Sequence, residues 1–279
     1  MQISGYIGII RPANSIVAGI AAVIGYIIAT GALVPEAFLL FVVVFLVTGA
    51  GNTINDWYDV EIDRVNRPER PIPSGKVSER GALALAAVLF GGGILVSLFT
   101  TPLCAAIAII NSGLLVFYAF SLKKTAFLGN LAVSYLAGSI FLFGGALAGM
   151  EGMVHAAPVF LITLLAMVTR ELLKDAEDVK GDSLQGASTV PIRYGVRVTV
   201  LIACAFILGA LAASILPLAW WGPRYLAGII PVDLFILYAV LRSIGCKDPG
   251  CVKKSNSASL LKYGMFASLA VFLAAALLL

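Results

Sequence analysis

Asn52-Thr-Ile-Asn55-Asp56-Trp-Tyr-Asp59-Val-Glu-Ile-Asp63-Arg64-Val-Asn-Arg67-Pro-Glu-Arg70-Pro-Ile-Pro-Ser-Gly-Lys76 opens at the end of a long apolar run. Asp56, Asp59 and Asp63 stand at i, i+3 and i+7, which places them on one helix face. Like charges that close repel, so the spacing points to a cation between them. The run before them is one of several of about 20 apolar residues, the length that crosses a bilayer core. With 60% hydrophobic and 12% charged residues over 279 positions, a soluble fold would lack the polar residues to cover its surface. The fold class is all-α: a polytopic membrane protein.

The apolar runs divide into nine spans: 12–30, 37–57, 80–99, 102–121, 127–149, 156–175, 196–216, 226–243 and 258–278. No basic segment and cleavage site precede the first, so it is expected to be retained. Lys and Arg gather on one side: Arg11, the loop after span two, Lys123–Lys124, the loop after span six, and Arg242–Lys262. The opposite loops carry only Arg224. By the positive-inside rule the N-terminus and the basic loops are cytoplasmic and the C-terminus is outside. Cys104 and Cys204 read as small core residues. Cys246 and Cys251, in a cytoplasmic loop, are expected to stay reduced. His155 is expected in a short outer loop, and Asp233 reads as an intramembrane carboxylate paired with a hydroxyl or amide.

A second acidic stretch ends span six. Asp175, Asp178 and Asp182 repeat the spacing of Asp56, Asp59 and Asp63, each 119 residues on. Both stretches lead into loops rich in Gly, Pro and Arg. Spans two and six run in the same direction, so this is a parallel pseudo-repeat within a single domain, 1–279. A cation-coupled transporter would instead place its acids near the midplane, often in inverted repeats. Oxygen-rich clusters suit Mg²⁺, which bridges readily to phosphate, and Arg64, Arg67, Arg70, Lys123, Lys174 and Lys180 would neutralise further phosphate charge. The pattern therefore fits a diphosphate with a hydrocarbon tail. Departure of the diphosphate would leave an allylic cation kept from water by the bilayer, with Tyr58, Phe117, Tyr118 and Phe120 as candidate aromatic faces; Trp57 and Tyr58 equally fit an interfacial aromatic belt.

These motifs, Asn55-Asp56-x-x-Asp59-x-x-x-Asp63 and Asp175-x-x-Asp178-x-x-x-Asp182, resemble those of the UbiA superfamily of intramembrane prenyltransferases over essentially the whole chain. The resemblance implies nine helices around a central cavity with a cytoplasmic-side active site. It implies Mg²⁺ as cofactor, held by Asn55, Asp56 and Asp59 and by Asp175, Asp178 and Asp182. Asp59, Asp63, Asp178 and Asp182 would be catalytic. Arg67, Arg70 and Lys123 would contact the diphosphate, and Arg11 and Asn14 would shape the acceptor side. Tyr118 and Lys123 are similar to the family's Tyr/Lys pair, spaced one residue wider than usual. The loop Asn66–Gly75 looks most like that of members that transfer a geranylgeranyl group to geranylgeranylglyceryl phosphate, the second ether bond of archaeal membrane lipids. Arg64 and Lys174 would then serve the acceptor phosphate. Chlorophyll synthases and quinone-precursor prenyltransferases are the alternatives. The partners implied are a prenyl diphosphate, a lipid-phosphate acceptor and membrane lipids, with no nucleic acid and no obligate protein partner.

Overall fold

The computed structural model describes residues 2–184 and 186–279, with the side chains of Lys124 and Leu184 left aside. The charge of Lys124, used above for orientation, thus lies outside the described residues. Among the described residues, fourteen α-helices follow in order: α1 (Ile3–Ile9), α2 (Pro12–Thr30), α3 (Ala37–Tyr58), α4 (Val60–Asn66), α5 (Glu79–Ser97), α6 (Pro102–Phe120), α7 (Leu128–Ala146), α8 (Gly149–Leu184), α9 (Val190–Tyr194), α10 (Val196–Ala213), α11 (Leu218–Trp221), α12 (Arg224–Leu241), α13 (Pro249–Ser255) and α14 (Ser257–Leu278). Among the described residues, nine helical segments are long and apolar enough to cross a membrane. Large apolar side chains stand exposed along them: Phe38 is 66% accessible, Val88 70% and Leu95 58%. In water such surface would be costly; in hydrocarbon it is neutral.

The chain packs as two compact units, Met1–Ser121 with Ile140–Met153, and Leu122–Ser139 with Val154–Leu279. In the first, α3 is central and packs on α2, α5 and α6. Close approach depends on missing side chains. A Cβ on Gly144 would overlap the Ala22 carbonyl and meet the Tyr26 backbone nitrogen at 2.7 Å, and one on Gly19 would meet the Phe41 ring at 2.7 Å. Ser78 and Thr101 accept backbone N–H groups of Gly81 and Cys104, which starts α5 and α6 as local capping rules require. Thr101 also donates to the Ala146 carbonyl, 2.8 Å, which ties α6 to the end of α7.

In the second unit a core of Val168, Leu172, Leu173, Val200, Val240 and Leu261 joins α8 to α10, α12 and α14. Thr169 donates across to the Ala203 carbonyl at 3.2 Å, satisfying in hydrocarbon a hydroxyl that has no water to turn to. Asp233 accepts from Ser214 Oγ at 2.6 Å, and Tyr225 donates to the Ser214 carbonyl at 2.8 Å. The expected hydroxyl partner of this carboxylate is therefore Ser214.

Three local expectations need correction. α8 begins at Gly149, seven residues before the predicted span, and continues nine beyond it, so His155 is helical rather than in a loop. The positive φ of Gly149 (79°) turns the chain immediately before that helix, and Pro158 sits inside it. His155 packs edge-on to Trp220, ring centroids 5.4 Å apart. Cys246 and Cys251 form a disulfide instead of remaining thiols. Asp248 accepts the Cys251 N–H and Pro249 starts α13, a turn that brings the two Cα atoms within 5.4 Å.

Candidate active site

The first acidic motif spans a helix break. α3 ends at Tyr58, Asp59 leaves helical geometry (φ −89°, ψ 1°), and α4 resumes at Val60. Asp56 and Asp63 are nonetheless brought to one cation. Arg70 Nη1 donates to Asp63 Oδ2 at 2.6 Å and to Asp56 Oδ1 at 3.2 Å. Arg11 Nη2 adds a 2.6 Å bond to Asp56 Oδ1. The two carboxylates are 6% and 7% accessible, so these charge-assisted bonds replace hydration that burial removed.

The local sequence explains how both arginines arrive. Arg11 caps α2 in the left-handed region (φ 49°), and Pro12, whose fixed φ suits the first helical position, starts the helix. Arg70 lies in a loop folded on itself: Val77 donates its N–H to the Pro71 carbonyl and Ser74 to the Arg70 carbonyl. Ile72 and Val77 pin that loop into a core with Ile9, Val60 and Ala82.

Around this network, Asn55 Nδ2 donates to Asp59 Oδ2 at 3.1 Å. Arg64 pairs with Glu61 at 2.5 Å and Glu79 at 2.9 Å, all three exposed, where such pairs contribute little. Arg67 and Asn14 are exposed, and Tyr118 and Lys123 are half-buried. Tyr58 packs on Trp57 at 4.9 Å and on Phe120 at 5.8 Å.

The second motif lies on an unbroken helix. α8 carries Asp175, Asp178 and Asp182 on one face, as their spacing requires. Asn130 of α7 donates to Asp175 Oδ2 at 2.8 Å. Thr189 is buried beside Asp182, its hydroxyl short of a well-formed hydrogen bond. Asp178 is exposed. Lys174 and Arg170 both pair with Glu171 at 2.9 Å. Past the helix, Ala187 donates to the Asp182 carbonyl at 3.0 Å, and buried Val190 and Pro191 hold the loop.

The donors at both motifs are carboxylate and amide oxygens, the set Mg²⁺ prefers. Among the described residues, no three Asp, Glu, His or Cys side chains converge on one point. Sequence reasoning missed Asn130, Thr189 and Glu171. The 119-residue offset that aligned the acids would have found the first two, since it carries Arg11 onto Asn130 and Arg70 onto Thr189.

The chain is similar over its whole length to known proteins. The chain is 57% identical to the digeranylgeranylglyceryl phosphate synthase of Methanoculleus marisnigri over 279 residues, covering all of both chains. A solved structure concerned with digeranylgeranylglyceryl phosphate synthase in membranes superposes with a TM-score of 0.89 at 36% identity, covering 99% of each chain. A UbiA homologue from Archaeoglobus fulgidus, bound to DMAPP and Mg²⁺, shares the fold with a TM-score of 0.67 at 15% identity, over 94% of this chain and 98% of its own. Residues 18–270 match the UbiA prenyltransferase family. The chain belongs to that family.

Proposed function

We propose that the protein transfers a geranylgeranyl group from geranylgeranyl diphosphate to the hydroxyl of geranylgeranylglyceryl phosphate, releasing diphosphate. The observation that carries the reaction type is the pair of acidic motifs, identical in spacing at the ends of two apolar spans. The acceptor is supported by full-length similarity to relatives that bear the synthase name.

Asn55 and Asp59, with Asp175, Asp178 and Asp182, supply the oxygen ligands for Mg²⁺. When bound, the metal stabilises the charge that develops on the departing diphosphate. Arg67 and Lys123 bind phosphate oxygens, and Arg70 binds them while bridging Asp56 and Asp63. Arg11 and Asn14 border the acceptor, and Arg64 and Lys174 serve its phosphate. The apolar spans keep water from the allylic cation, and the faces of Tyr58, Phe117, Tyr118 and Phe120 stabilise it. The acceptor oxygen then bonds to the prenyl carbon as its O–H bond breaks and the proton passes to the released diphosphate. The chain acts as one catalytic domain, with the N-terminus and the basic loops cytoplasmic and the C-terminus outside.

The test offers one prenyl diphosphate with geranylgeranylglyceryl phosphate, a chlorophyllide and a hydroxybenzoate side by side. Product with the first alone is expected; preferential product with either of the others refutes the acceptor. Asp59→Ala and Asp178→Ala are each expected to abolish transfer, and near-normal turnover by both would refute the metal-dependent reading.

A further inference from the structure

The pseudo-repeat extends beyond the acids to the groups that hold them, and there its halves differ in charge. In the first half the residue 45 positions before the first acid donates to it: Arg11 to Asp56. In the second half the same separation gives Asn130 to Asp175. The residue seven positions after the third acid is Arg70, on Asp63; its counterpart is Thr189, beside Asp182. Equivalent positions are thus two guanidinium ions in one half and an amide and a hydroxyl in the other. Each of the two matched positions replaces a full positive charge with a neutral dipole.

We propose that this difference makes the motifs unequal cation sites: the second takes a divalent ion before any diphosphate arrives, and the first takes one only with the diphosphate. The inference rests on the prenyltransferase reading for the identity of that second ligand. Arg11 and Arg70 already neutralise Asp56 and Asp63, so a further cation at the first motif meets little net negative charge and two fixed positive ones. The diphosphate itself must bring the missing charge. Around Asp175, Asp178 and Asp182 no guanidinium bridges the acids among the described residues; the charge of Lys174 reaches Asp175 and Asp182, but Lys174, like Arg170, makes its ion pair with Glu171. The Thr189 hydroxyl, 92% buried by its 8% accessibility and without a well-formed bond, adds a polar atom that faces this carboxylate group. Asn130, a neutral donor that fixes the orientation of the Asp175 carboxylate, is on this account a positioning residue.

The experiment is Mn²⁺ binding to the purified full-length protein in nanodiscs, read by electron paramagnetic resonance, with and without inorganic pyrophosphate. One equivalent is expected without pyrophosphate, lost in Asp178→Ala and kept in Asp59→Ala, with a second appearing when pyrophosphate is added. Asn130→Arg installs the first half's charge in the second. A unit charge about 6 Å from a divalent ion weakens its binding by at least about tenfold even at the dielectric of water. Arg11→Asn makes the converse change and is expected to let the first motif bind Mn²⁺ without pyrophosphate. Two equal sites, no site, or a single site lost in Asp59→Ala instead would overturn the proposal. Should Asn130→Arg misfold, the Asp178→Ala and Asp59→Ala titrations decide alone. Turnover of geranylgeranyl diphosphate is measured on the same preparation: turnover with the wrong binding pattern refutes only this inference, and the right pattern without turnover refutes only the proposed function.

Discussion

Replacing Arg70 by Met removes the ion that holds Asp63 and half of the one that holds Asp56. Asp56 keeps Arg11 at 2.6 Å, so the cost falls on Asp63, whose side chain is 7% accessible. Orphaning one member of a buried ion pair typically costs about 3–5 kcal/mol. Arg70 is itself 18% accessible, which lets some water reach the pair and favours the lower end. A loss of about 3 kcal/mol corresponds to a fall of about 6–12 °C in the unfolding midpoint for a domain of this size. Cys104 is buried and free, so a thiol-reactive dye that reports its exposure during a thermal ramp measures the transition. Adding Asp63→Asn removes the stranded charge and is expected to restore more than half of the loss. An Arg70→Met protein that unfolds at the wild-type temperature, or a double variant no better than the single one, would refute the assignment of this bridge.

Gly144→Val places a branched side chain against the Ala22 carbonyl, and since backbone cannot step aside cheaply, a loss of about 3 kcal/mol is expected in the same dye assay. Wild-type stability would show that α2 and α7 do not approach this closely. Asp233→Asn keeps the shape of the Ser214 contact and is expected to alter folding yield more than the rate per folded molecule; a well-folded inactive protein contradicts that. Arg64→Ala is expected to leave stability within about 0.5 kcal/mol, because its partners are exposed carboxylates, and a larger loss by thermal unfolding would give this pair a structural role.

Much of this architecture was legible in the chain. Apolar runs set the spans because each must satisfy its backbone inside hydrocarbon, and the observed ends fall within a few residues for all but α8. There the predicted span stops with the apolar run at 175, yet the helix continues through the acidic stretch to Leu184, because no proline interrupts that stretch and charges are free to solvate at a membrane surface. The acids at Asp56–Asp63 and Asp175–Asp182 stood out because charge is scarce in such a sequence. The break at Asp59 did not, since Asp59 carries no helix-breaking signal of its own. What holds the acids was hidden for another reason. Cations near phosphate chemistry suggest a substrate role for Arg11 and Arg70, whereas their pairing with buried carboxylates depends on the tertiary fold, for Arg70 on how the 67–77 loop folds back onto α1 and α4. The disulfide was missed because compartment outweighed the capping turn at Asp248.

The two acidic motifs, identical in spacing, are proposed to make this chain a metal-dependent prenyl transferase. The most direct measurement is diphosphate release from geranylgeranyl diphosphate by the purified protein in liposomes, with geranylgeranylglyceryl phosphate as acceptor and Mg²⁺ present or chelated. The account predicts release of diphosphate and appearance of the ether product in equal amounts, both abolished by chelation. Cation flux across the liposome without any such turnover would contradict it.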